Sequence, residues 1–446
     1  MKPFPFSISL RFSFLNMFLI LLFTTLLSST DKSPIKGERD LIQDIGPDLQ
    51  LRTAFGSVNT LKVKTQGIFA IWWDPKFNHE ADLPLLFSWL ETIRKDCIEN
   101  LGMGDPPNPQ AGYYYNVYIH HGKEDLFPED WGNGQGTDQY DMPFLTLPAG
   151  AHLDKMNIHH EGFHIFQYSA NSPGYQYWGN SQWYVESAAQ WYMSDRNPTA
   201  EGAFVEAGAI SANPQLALWH SYDNKAPGDA EDWLYLVRQY GMHTYLFYLT
   251  NVARVDPEII TEGFYAKTDI SPQQYHLEKI GAESLRSYFA DWAAHNTGGF
   301  DYLSEKQWER ALTELENVAD PQNMNPYVLD LAGKKILGTH RPPSKLLPRG
   351  WAYNVIKLSS PPKKKMTFKV NGEKLGSEGG QAHFEGRIVM KGNAGFRYED
   401  IKMTDRISGS KTIKMRRGES EIYFIIASVP ENFTGNQTYG YSVEIK

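Results

Sequence analysis

A chain of 446 residues with a net charge of −9 and no basic stripe is a poor partner for a phosphate backbone, so nucleic acid is set aside as a ligand. Its single cysteine, Cys97, excludes an intrachain disulfide framework and a cysteine-based zinc site. Aromatic residues make up 14% of the chain, which suits a large core and equally suits stacking against sugars.

The chain opens with Lys2 and Arg11, an apolar run over 17–27, and the small residues Ser28, Ser29 and Thr30. That order predicts a signal peptide over residues 1–29, and with it a secreted or periplasmic protein. The apolar run is short for a membrane span and no later stretch matches it, so no span is expected in the mature chain. A linker over 30–39 follows. Residues 69–73, FAIWW, read as a strand. Residues 83–101 read as an amphipathic helix with Leu86, Leu90, Ile93, Cys97 and Leu101 on one face. Cys97 is expected to act there as a small buried apolar residue. The aromatic patch 111–120 contains a second strand over 113–119. Residues 141–150, DMPFLTLPAG, read as an extended segment, and for 144–147 two readings stand equal, a plain buried strand or an edge strand able to pair with a substrate backbone.

Next comes HEGFH, residues 160–164, the pattern H-E-x-x-H. On a helix it stacks His160 and His164 on one face, one turn apart, where two imidazoles can hold one zinc ion. Glu161 then stands beside the open metal position as a general base. Met156, Ile158, Phe163, Ile165 and Phe166 make the helix half-buried. A catalytic zinc site needs a third protein ligand, and a second helical segment over 183–192, WYVESAAQWY, offers Glu186, 22 residues beyond His164. A Glu amid Trp183, Ala188, Ala189 and Trp191 is odd in a core unless a cation pairs with it.

HEGFH followed by Trp183 and Glu186 in W-x-x-E-S resembles the gluzincin clan of zinc peptidases. The resemblance implies zinc as cofactor, His160, His164 and Glu186 as its ligands, and Glu161 as the base. The spacing to Glu186 is a little longer than in thermolysin-like and aminopeptidase-like members. Val185 stands where many members have Asn, and Gln190 where many have an Asp that orients a zinc histidine. Over most of its length the chain also resembles a family of secreted HExxH proteins carried as a domain of unknown function, to which the ASVPEN stretch at 427–432 adds. Tyr240, before Gly241, is similar to the tyrosine that several gluzincins use to stabilise an oxyanion; His220, Tyr235 and His243 are its rivals.

Residues 232–251 read as one or two helices, 284–294 as another, and Ser304 with Gln307 as a capping box opening a further one. The Pro-rich stretch 340–350 is a joint. Beyond it the hydrophobic period changes to two, with strands expected over 351–358, 366–370, 387–390, 421–429 and 441–445. The fold class expected is α+β: a zincin-like catalytic domain over 40–340, with a mixed-sheet lobe and a helical lobe, followed by an antiparallel β-sandwich over 351–446. The function expected is a secreted zinc-dependent metallopeptidase, an endopeptidase acting on protein or peptide. The alternative is a secreted carbohydrate- or protein-binding protein whose metal site is structural or vestigial, with glycans held by the aromatic surface or the sandwich.

Overall fold

A computed structural model describes residues 50–51, 60–106, 112–122, 134–137, 143–170, 172–177, 179–220, 232–297, 299–319, 322, 324–433 and 436–446. The signal peptide and linker expected over 1–39 lie outside the described residues. The chain forms two compact units, residues 1–171 with 264–267, and residues 172–263 with 268–446. The Pro-rich stretch 340–350 lies inside the second unit.

The first unit is built on a five-stranded sheet. Its strands are β1 (Lys62–Gln66), β2 (Phe69–Trp73), β3 (Tyr115–His120), β4 (Gly134–Thr137) and β5 (Pro143–Pro148), in the order β1-β2-β3-β5-β4. The apolar runs of β2 and β3 are buried along their whole length, as inner strands must be. β1, KVKTQ, is largely exposed, and its lysines protect an edge from further pairing. The pairs β2–β3 and β3–β5 are parallel, while β1 and β4 run antiparallel at the two edges. Of the two readings of residues 144–147, the buried strand holds and the edge strand does not: they are paired on both sides, and among the described residues Gly134–Thr137 lies at that end of the sheet. Two helices pack with this sheet, α1 (Leu83–Glu99) and α2 (Lys155–Tyr168). α1 has the apolar face expected of it, and Cys97 is buried there.

The second unit carries helices α3 (Gln182–Arg196), α4 (Ala207–Ala212), α5 (Asp232–Gly241), α6 (His243–Phe247), α7 (Glu258–Tyr265), α8 (Pro272–Ile280), α9 (Ala282–Asn296) and α10 (Glu305–Val318), though α7 ends within the stretch belonging to the first unit. The capping box expected at Ser304 and Gln307 opens α10. Nine strands follow: β6 (Leu329–Ala332), β7 (Gly338–His340), β8 (Ala352–Ser359), β9 (Lys365–Gly372), β10 (Phe384–Gly392), β11 (Gly395–Met403), β12 (Ser408–Lys414), β13 (Glu419–Ser428) and β14 (Tyr441–Ile445). They form one sheet in the order β6-β8-β13-β10-β11-β12-β9-β14-β7. Only β6–β8 is parallel among these pairs.

The five C-terminal strands expected from the sequence are all present, but the sheet they join is mixed, starts upstream of the Pro-rich joint, and curls on itself. β11 and β12 share only Lys402↔Ser410 and Met403↔Gly409. At that narrow joint a Cβ on Gly409 would lie 2.6 Å from Met403 Sδ and 2.8 Å from Lys402 O, so only glycine allows the approach. The curl brings Phe368 of β9 to 5.3 Å from Phe424 of β13, and Phe384 of β10 to 5.9 Å from Tyr441 of β14, around one apolar core. α9 lies against β10 and β13. Buried Arg387 of β10 binds Asp291 of α9 at 2.6 Å and also meets Glu385 and Asp400.

Two of the fully buried histidines in this unit are held neutral by burial. Burial pushes His276 down to about 3, and its Nε2 lies 2.8 Å from the Tyr184 hydroxyl on α3. Burial, then Arg349 and Arg238, push His220 down to about 2. A depressed histidine takes up fewer protons folded than unfolded, so its contribution is complete above pH 6.5 and is lost as pH falls toward the folded value. We expect His276→Gln to shrink the stability difference between pH 7 and pH 5 by about 2 kcal/mol. Chemical denaturation of both chains at the two pH values checks this; an unchanged difference would mean that His276 carries its proton in the fold.

Candidate metal centre

α2 begins where Asp154 accepts from the backbone N–H groups of Met156 and Asn157, an N-cap that fixes the register of the histidines downstream. Its third turn presses close to α1: a Cβ on Gly162 would fall 2.7 Å from Ile93 Cδ1. The middle residue of HEGFH is therefore a packing residue. Within this helix the Nε2 atoms of His160 and His164 face each other at 3.1 Å. Two donors about 2.1 Å from one tetrahedral ion lie about 3.4 Å apart, so the pair is close to a shared-ion geometry. Glu161 is buried beside them in sequence, at 8% exposure.

The proton on His164 is placed by a residue the sequence reading missed. Nδ1 of His164 donates to Gln167 Oε1 at 2.6 Å, which leaves the Nε2 lone pair for a metal. The signal was present: Gln167 stands three residues after His164, on the same face of the helix. Gln190, the position the resemblance pointed to for this task, donates its Nε2 to Glu206 at 2.9 Å. We expect Gln167→Leu to weaken metal binding at His164 about 10- to 100-fold, as loss of an outer partner does in zinc sites. Competition titration with a chromophoric chelator reads this directly; unchanged affinity would mean that Gln167 does not orient the ligand.

In the second unit, α3 is buried on every side from Gln182 to Ser194 rather than along one stripe. Glu186 is 5% exposed there, between Tyr184 and Ala188. A carboxylate at such depth keeps its charge only beside a cation or a set of donors. His160, His164 and Glu186 are among the described side chains that could hold a metal ion.

The oxyanion candidates separate by environment. Tyr240 is half-buried near the end of α5, and its carbonyl accepts from His243 Nδ1 at 2.8 Å. His243 is fully buried and stacks on Phe204 at 5.3 Å, so it serves the core. His220 is fully buried, neutral, and 2.9 Å from Arg349. The side chain of Tyr235 lies outside the described residues. A second gathering of histidine and carboxylate, His79, Asp82 and His152, lies wholly in the first unit. No sequence pattern announces it.

No protein-family model matches this chain, and no curated protein matches it. Among solved structures, the chain is faintly similar to a family GH115 4-O-methyl-alpha-glucuronidase with specificity for decorated arabinogalactans, at 8% identity and a TM-score of 0.15, over 78% of this chain and 54% of that one. The chain thus spans about half the length of that protein. A likeness at that level carries no argument about fold or activity.

Proposed function

We propose that this protein is a secreted zinc-dependent peptidase of gluzincin type, with His160, His164 and Glu186 as zinc ligands and Glu161 as general base. The observation that carries the reading is the pair of Nε2 atoms facing each other at 3.1 Å on a buried helix, next to Glu161. The donor set fits zinc, two imidazoles and one carboxylate with a position left open. Zinc held there supplies a Lewis acid that polarises a substrate carbonyl and makes a nearby water more acidic.

The chain's own residues do the rest. Glu161 takes a proton from the attacking water onto a carboxylate oxygen and then delivers it to the leaving amine nitrogen. Gln167 keeps His164 in the tautomer that offers Nε2. Tyr240 is the candidate donor to the developing oxyanion, by resemblance. On this reading the substrate would lie along β4, the last strand of the described sheet, where α2 packs against both β4 and β5. The curled C-terminal sheet takes the part expected of a sandwich, support or substrate capture.

The test is digestion of a peptide library by the purified full chain, before and after chelation and after zinc is returned. We expect internal cleavage that is lost on chelation and restored by zinc. Glycan binding on an array with no peptide cleavage would overturn the reading in favour of a binding protein.

A further inference from the structure

Asp82 is the N-cap of α1, yet its carboxylate makes no capping bond. It turns instead to two imidazoles. Asp82 Oδ2 lies 3.5 Å from His79 Nδ1 and 3.3 Å from His152 Nε2, and a set of donor atoms from the three residues lies within 4.8 Å of one another. Charge-assisted hydrogen bonds close to about 2.7–2.9 Å. Two ligands of one tetrahedral ion sit about 3.4 Å apart. The Asp82–His152 contact is a long hydrogen bond as it stands, and both Asp82 distances also match the spacing of two ligands on one ion.

We propose that His79, Asp82 and His152 form a second divalent-metal site, separate from the HEGFH histidines, for a borderline ion such as zinc. Two nitrogen donors and one carboxylate select that class over calcium or magnesium, which take oxygen. Both imidazoles are buried, at 6% and 2% exposure, while the Asp82 side chain is 31% exposed and leaves a way in for the ion and for water as a fourth ligand. His79 already has an outer partner: with Nδ1 on the ion, its Nε2–H points at His121 Nε2, 3.0 Å away. His121 is in turn stacked on Phe77.

His152 has to change one contact. Its Nδ1 now accepts from the Gly150 N–H at 3.1 Å, which puts the ring proton on Nε2. Metal on Nε2 moves that proton to Nδ1, so the Gly150 amide must turn away. Gly150 sits at φ +95°, where a glycine peptide turns at least cost. The ion would tie the start of α1 to the 3-10 turn Ala151–Leu153, directly ahead of α2. It would brace the helix that carries HEGFH.

The experiment is equilibrium dialysis of the full chain against Zn²⁺, with metal counted by mass spectrometry, for the wild type, His164→Ala, His79→Ala and Asp82→Asn. Circular dichroism confirms the fold of each variant. We expect one equivalent that survives His164→Ala and disappears in both His79→Ala and Asp82→Asn. Co²⁺ substituted into His164→Ala should give a tetrahedral d–d band that Asp82→Asn abolishes. Metal binding that is unaffected by His79→Ala and Asp82→Asn in folded protein would overturn the proposal, whatever the state of the HEGFH site. Loss confined to His164→Ala would overturn it equally and leave the peptidase reading standing.

Discussion

Glu161→Gln is expected to lower peptide hydrolysis by about a thousandfold while leaving the zinc content unchanged. The amide keeps the shape of the carboxylate and its place on α2, so the helix and its packing against Ile93 survive. What it loses is a site for the proton of the attacking water. The two readouts have to be taken on one sample: kcat/KM on a peptide found in the library digestion, and metal per chain. A large loss of rate with full metal assigns the base. Full activity in Glu161→Gln would sink the mechanism, because no other role given to this residue predicts a large effect. A loss of both rate and zinc would make Glu161 a ligand rather than a base.

His164→Ala is expected to remove one equivalent of zinc and with it the stabilisation that zinc provides. An ion present at a thousand times its Kd adds about 4 kcal/mol to apparent stability. Thermal unfolding of the wild type should therefore rise on adding zinc after chelation, and this component of the rise should vanish in His164→Ala. Glu186→Ala should behave alike, since a carboxylate removed from a three-ligand set leaves two imidazoles from a single helix. Zinc lost in His164→Ala and kept in Glu186→Ala would mean that the third ligand has been wrongly chosen. Full wild-type zinc content in both would mean that the 3.1 Å imidazole pair is a hydrogen bond and no more.

What the amino-acid sequence determined by itself was local. The apolar face of residues 83–101, the unbroken FAIWW and the Ser304/Gln307 box each act through neighbours within about four positions, and each is present where it was read. The two histidines are brought together by the same short-range rule. Strands rich in charge escaped it. KVKTQ and GFRYEDIKM carry no clean alternation, because an edge strand and a half-exposed strand have little apolar surface to bury.

Tertiary structure decided everything that depends on who lies beside whom. Residues 144–147 read equally as an edge or a buried strand, and pairing decided for the inner position, because Gly134–Thr137 adds outside them, a choice fixed by register and not by composition. The C-terminal strands became one curled sheet, because Gly409 lets two strands approach and a shared core closes around Phe368 and Phe424. His164 Nδ1 is held by Gln167 Oε1, a neighbour on its own helix. Asp82 and His152 are 70 positions apart, and only the packing of α1 beside the turn ahead of α2 brings a carboxylate between two imidazoles. Local pattern is set by bonds along the chain, whereas a site of this kind is set by burial, which no short window of sequence contains.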